Sequence, residues 1–135
     1  MWQRLVLAAV AAMLAVNGAH MLFAAEHWYH SLDSVPFTGA FNSHFVRDIG
    51  CAYLAAAAGM LVGAWRPQWL IPATLPAFVF LALHALVHVA DALTGQESAE
   101  HSGAVDFVGV YGPPLLALVV MLSVRQHGPT RNVAV

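Results

Sequence analysis

Residues 69–90 read WLIPATLPAFVFLALHALVHVA, 22 in a row without an acid, a lysine or an arginine. A membrane-crossing helix needs about 20 predominantly apolar residues. In hydrocarbon every backbone donor and acceptor must be paired inside the segment, so a helix is the expected form. Pro72 and Pro76 stand one turn apart near the start of this run and are expected to bend the helix without ending it. Its only ionisable side chains are His84 and His88.

Working outward, three more runs qualify. Leu5–Ala25 is uncharged and broken only by Asn17, Gly18 and His20; Ile49–Trp65 can be extended through His44 and Phe45 across Arg47 and Asp48; Phe107–Val124 is the fourth. Composition agrees: 60% of the 135 residues are hydrophobic and 9% charged. Soluble domains average roughly 45–50% and 25%. That balance, with five arginines and no lysine, excludes a basic nucleic-acid binder, a disordered tail and an ordinary soluble enzyme. The expectation is one transmembrane domain over 1–135, an all-α integral membrane four-helix bundle. Its helices cover about 5–25, 44–65, 69–92 and 107–124, with outer loops 26–43 and 93–106.

Charge sets the expected orientation. With the first helix entering from the cytoplasm, Arg4, Arg66, Arg125 and Arg131 fall inside and only Arg47 outside. All seven acids (Glu26, Asp33, Asp48, Asp91, Glu97, Glu100 and Asp106) fall outside. This positive-inside bias puts both termini in the cytoplasm. A bacterial inner membrane fits the short loops. Leu5–Val16 behind Arg4 could also serve as a cleaved signal peptide. Asn17 and Phe23 stand where a small residue should precede the cut, so the run is read as a retained span.

Other punctuation is local. Pro113-Pro114 should start the regular part of the fourth helix and leave Phe107–Gly112 irregular. Cys51, Ala55, Gly59 and Gly63 form a small-residue stripe suited to close helix packing inside the bundle. The lone Cys51 allows no intrachain disulfide and no CxxC motif. Trp28, Tyr29, Val35, Pro36, Phe37 and Phe41 make the first outer loop an apolar flap expected to lie on the bundle, whereas the second is polar. No internal repeat is present.

Chemistry concentrates in the histidines. Seven of eight share the outer side with all the acids; only His127 lies elsewhere. His84-x3-His88-x2-Asp91 falls within about 60° on one helix face, so two imidazoles can reach one ion with Asp91 a turn above. His44-x3-Asp48 opens the second helix on one face, and His20 lies near the outer end of the first. Polar groups in a membrane span are costly and by default have a partner or a function. Imidazole with carboxylate suits Zn, Cu or Fe, and facing helices of a bundle commonly build such sites. The expected site is therefore a divalent transition metal held by His84 and His88, with Asp91, His44, Asp48 and His20 as further ligands. His27, His30 and His101 lie in loops, where an exposed histidine needs no explanation.

Other readings of the same residues are a haem between two axial histidines, a self-paired polar cluster in a non-catalytic structural subunit, and a small transporter. Against haem, His84 and His88 crowd one face. Against transport, below His84 only Thr74 and Gln68 are polar, and the second helix has no polar side chain after Tyr53. No HExxH motif supports zinc-protease chemistry, and no catalytic set is readable. Expected partners are the lipid bilayer and a homo-oligomer or larger membrane complex, the chain acting there as a redox or accessory subunit.

Four helices, both ends inside, and Arg47-Asp48-x-Gly50 entering the second helix resemble the DoxX-like small bacterial membrane proteins. The resemblance covers the topology of most of the chain. It implies a small bacterial membrane bundle and assigns no site residue, since His84, His88 and Asp91 are not part of that pattern.

Overall fold

The computed structural model describes residues 1–32, 34–94 and 107–125, and among these every regular element is helical. Helix α1 spans Trp2–Phe23, the short α2 Ala25–Ser31, α3 Ser43–Trp65, α4 Leu70–Thr94 and α5 Gly112–Arg125. Short 3-10 turns occupy Val35–Thr38 and Pro67–Trp69, and a π-helical turn Phe107–Tyr111 leads into α5. Four stretches, Trp2–Phe23, Ser43–Trp65, Pro67–Thr94 and Phe107–Val124, are long and apolar enough to cross a membrane.

Each long helix packs on its chain neighbour, and α5 closes back on α1. Among the described residues the diagonal pairs α1/α4 and α3/α5 have no α-carbons within 8 Å of each other. Arg4 lies against Ala64 while Gly18 lies against Gly50, so α1 and α3 run antiparallel. Gly59 meets Ala73 and Tyr53 meets His84, so α3 and α4 do too. The three-residue turn Pro67–Trp69 between them leaves no other arrangement. The core is a narrow seam of Leu7, Leu14, Tyr53, Met60, Leu81 and Val120. Only 28–33% of each apolar window is buried. Leu5, Val16, Leu61, Val79, Leu83, Leu86, Val119 and Leu122 therefore lie on an apolar outer surface, the converse of a water-facing bundle.

Glycines set the closest approach. A Cβ on Gly18 would lie 2.8 Å from the Gly50 carbonyl oxygen, and one on Gly50 2.9 Å from that of Gly18. The α1/α3 seam is closed at its other end by Arg4, whose Nε donates to Ala64 O at 2.6 Å and whose second guanidinium nitrogen reaches Trp65 O at 3.4 Å. A cation on the last carbonyls of α3 complements the negative end of that helix. Arg4, expected only as a charge at the membrane face, is thus also a clamp between helices.

Pro72 and Pro76 do not end their helix. Helix α4 continues through Pro76, and Pro72 sits in its first turn, where an N–H is not needed. The π-helical turn ends immediately before Gly112-Pro113-Pro114. The small-residue stripe divides. Gly59 and Gly63 pack on α4, while Cys51 and Ala55 are exposed, because the seam with α4 passes from Gly63 to Tyr53 and leaves them aside. The first outer loop, expected as 26–43, begins with the extra helix α2. Trp28 is half-buried and Tyr29 buried on the bundle, whereas Phe37 stays exposed. The second loop, expected as 93–106, gives its first two residues to α4; residues 95–106, with His101, lie outside the described residues.

One buried group makes a prediction of its own. Thr74 is fully buried against Gly63, and its hydroxyl has no hydrogen-bond partner among the described residues. A buried hydroxyl without a partner costs roughly 1–3 kcal/mol. Thr74→Val keeps the branched shape and is expected to raise stability by about 1 kcal/mol. An increase in thermal midpoint in detergent is the expected reading, and a decrease would contradict it.

Candidate functional site

Helix geometry alone places His84 beside His88: their ring centres are 4.8 Å apart and their planes 75° apart. Both are half-buried. His84 lies in the seam between α3 and α4, stacked at 6.2 Å on Phe80 of its own helix and edge-on at 5.9 Å to the buried Tyr53. Asp91, half-buried, follows one turn later on the same helix. His84 and His88 therefore stand side by side, with Asp91 further along the same helix.

His44 and Asp48 form their own pair, Nε2 to Oδ2 at 3.4 Å, with side chains 88% and 62% exposed. The face of α3 that packs inward carries Val46, Gly50 and Tyr53, so residues 44 and 48 point away from it. Asn42 caps this helix, its Oδ1 accepting from the backbone N–H groups of His44 and Phe45 at 3.1 Å each. Asp48 meets His44 and not the adjacent Arg47, whose side chain is exposed. Neither His44 nor Asp48 joins the α4 histidines.

His20 is elsewhere again. It lies on α1, diagonal to α4 in the bundle, and its Nε2 is 2.8 Å from Nδ1 of His27. The six expected ligands are thus split: His84 and His88 with Asp91 further along α4, His44 with Asp48 on α3, and His20 with His27, a residue outside the expected set. Among the described residues no group of three or more His, Cys, Asp or Glu side chains is arranged to hold a metal ion. The axial haem pairing of His20 or His44 with His84 or His88 is not assembled either, since α1 and α4 are diagonal and His44 points outward.

Two contacts escaped the sequence reading. His27, taken there as a loop residue, is the partner of His20. Asn17, noted as a polar break in an apolar run, accepts a hydrogen bond from Trp28 Nε1 at 2.9 Å and ties α2 to α1. An asparagine in a span with an indole donor 11 residues later was the available signal.

What these groups can do chemically is limited and clear. Neutral imidazoles offer one nitrogen donor each to a metal or a proton, and Asp91 offers carboxylate oxygens. Compared with protein families, curated proteins and solved structures, the chain matches none.

Proposed function

We propose that this chain is a multi-pass integral membrane protein of the bacterial inner membrane, both ends cytoplasmic, that binds a divalent transition metal from the outer side. His84 and His88 are the ligands, and Asp91 either completes the set or fixes an imidazole tautomer. Zn, Cu and Fe are the ions such donors suit. In this reading the protein is a redox or accessory subunit of a membrane complex, and its topology keeps the likeness to DoxX-like proteins.

The observation that carries this is the 4.8 Å between the two ring centres. Two imidazoles on one ion, with metal–nitrogen bonds of 2.0–2.1 Å, put their ring centres about 4.5–5.2 Å apart for tetragonal to tetrahedral angles. The pair sits in an apolar helix, where two imidazoles without a purpose would be costly.

Elemental analysis of the detergent-purified protein after loading with Zn(II) or Co(II) and desalting tests the proposal. Metal content is expected to fall by about one equivalent in His84→Ala/His88→Ala and to stay unchanged in His44→Ala/Asp48→Asn. Equal metal content in the wild type and the α4 double variant would overturn it. The second reading, a structural subunit whose polar groups pair with one another, is favoured by the His44–Asp48 and His20–His27 contacts. It predicts a lower thermal midpoint for the α4 double variant and no bound metal in either protein.

A further inference from the structure

Helix α1 ends at Phe23 and α2 begins at Ala25. The single residue between them, Ala24, has φ −138° and ψ 51°, outside the helical region. Its N–H still donates to His20 O at 2.9 Å, and its carbonyl accepts from Trp28 N–H at 2.9 Å. The break therefore turns the chain without opening it. In an unbroken helix residues seven apart stand roughly 10 Å apart along the axis. Here the turn brings His20 Nε2 to 2.8 Å from His27 Nδ1, with ring centres 5.1 Å apart.

What holds this geometry is independent of the imidazoles. Ala25 and Tyr29 are buried on the bundle. Trp28 is tied to Asn17, and the Tyr29 hydroxyl donates to the Gly39 carbonyl. The opposite face of α2 is left to solvent. There Glu26, His27, His30 and Ser31 line one shallow depression, and His30 rests edge-on against Tyr29 at 4.9 Å. A hydrogen bond between two exposed imidazoles adds little stability. The pair is placed by its scaffold.

We infer that His20 and His27 form a second metal site, where the end of α1 meets α2, for a borderline divalent ion. Cu(II) binds first and Ni(II) and Zn(II) more weakly, following the usual order for nitrogen donors. Water completes the shell, and Glu26 and His30 line the same depression as His27. Binding replaces the proton shared by His20 and His27. Cis donors of a tetragonal ion lie about 2.8 Å apart and those of a tetrahedral ion about 3.3 Å apart. The nitrogens stand this close through a hydrogen bond in which the two rings point at each other, so both imidazoles must turn to aim their lone pairs at one ion. The inference does not rest on the His84/His88 reading, because among the described residues no α-carbon of α1 lies within 8 Å of one of α4.

The test titrates Cu(II) against a chromophoric chelator, using the full chain in detergent and the His84→Ala/His88→Ala background. One equivalent should bind in that background, with an electron paramagnetic resonance spectrum showing more than one nitrogen donor. His27→Ala, at an exposed position, should weaken it by well over about 100-fold, beyond the 10–100-fold cost of losing an outer partner of a ligand. His27→Gln, which can still hydrogen-bond His20, should weaken it similarly. Unchanged affinity in either His27 variant, or no Cu(II) bound in the background, would overturn the inference. If the background does not fold, His27→Ala is measured against the wild type, where losing one equivalent supports the site and losing none overturns it.

Discussion

Gly50→Leu is expected to leave α1 and α3 unable to pack, so that the purified protein loses its cooperative thermal transition in detergent. A Cβ at residue 50 would lie 2.9 Å from the Gly18 carbonyl oxygen, 2.9 Å from Met21 Cβ and 3.1 Å from the backbone nitrogen of Leu22. Two of those three atoms are backbone, so no rotamer change relieves the clash. Two opposing terms decide the smaller change Gly50→Ala. Alanine is favoured over glycine within a helix by about 1 kcal/mol, while overpacking a tight contact costs typically 1–3 kcal/mol. With α1 and α3 this close, the steric term wins, and a net loss of about 1–2 kcal/mol is expected. Leucine adds three further carbons with nowhere to go. Its cost should reach much of the roughly 5–15 kcal/mol that a domain has in total. Gly109→Ala serves as the control, because a Cβ there meets nothing within 4 Å. If Gly50→Leu melts like the wild type, the two helices do not cross at Gly18 and Gly50.

The spans were legible in sequence because length and lack of charge suffice to define them. Proline positions added the start of α5 and the unbroken run of α4 through Pro76. Which side of each helix faces the core was far less legible, for a physical reason. Lipid is as apolar as a leucine core, so outward and inward faces draw on the same residues. Leu83 and Leu86 are exposed and Leu81 is buried on one helix, with nothing in residue type to separate them. The same ambiguity governed the site. Pairs four residues apart within one helix, His84–His88 and His44–Asp48, could be read from periodicity, and both are present. Their assembly across helices required knowing that residues 44 and 48 turn away from α4, which needs the azimuth of α3. His27 could not be placed because the turn at Ala24 has neither proline nor glycine to announce it. Arg4 was read by its charge alone, although the acceptors it reaches are 60 and 61 residues away.

The same ambiguity makes the small-residue stripe on α3 a sharp test, because its four members are equivalent in sequence and unequal in the fold. Gly59→Leu is expected to be the most damaging single change on the α3/α4 seam. A Cβ there would lie 2.6 Å from the Ala73 carbonyl oxygen, the tightest approach of any glycine in the bundle among the described residues. To reach ordinary contact the backbone of α4 would have to retreat by most of an ångström before the rest of the leucine was accommodated. Pro72 and Pro76 flank Ala73, and Pro76 offers no N–H to the helix ladder. That stretch of α4 can bend more readily than an unbroken helix, but bending it outward also withdraws Thr74 and Leu70 from Gly63, where they now close the seam. The expected result is loss of the cooperative melt for Gly59→Leu and a loss of about 1–3 kcal/mol for Gly59→Ala. Ala55→Leu, one turn away on the same stripe but exposed, is expected to change stability by no more than about 0.5 kcal/mol. Equal effects at 55 and 59 would mean that α4 follows the whole stripe and crosses α3 elsewhere. In that case His84 could not stand against Tyr53. The crossing that makes Gly59 intolerant of a side chain is the one that seats His84 between α3 and α4, so this pair of variants also tests where the α4 histidines sit.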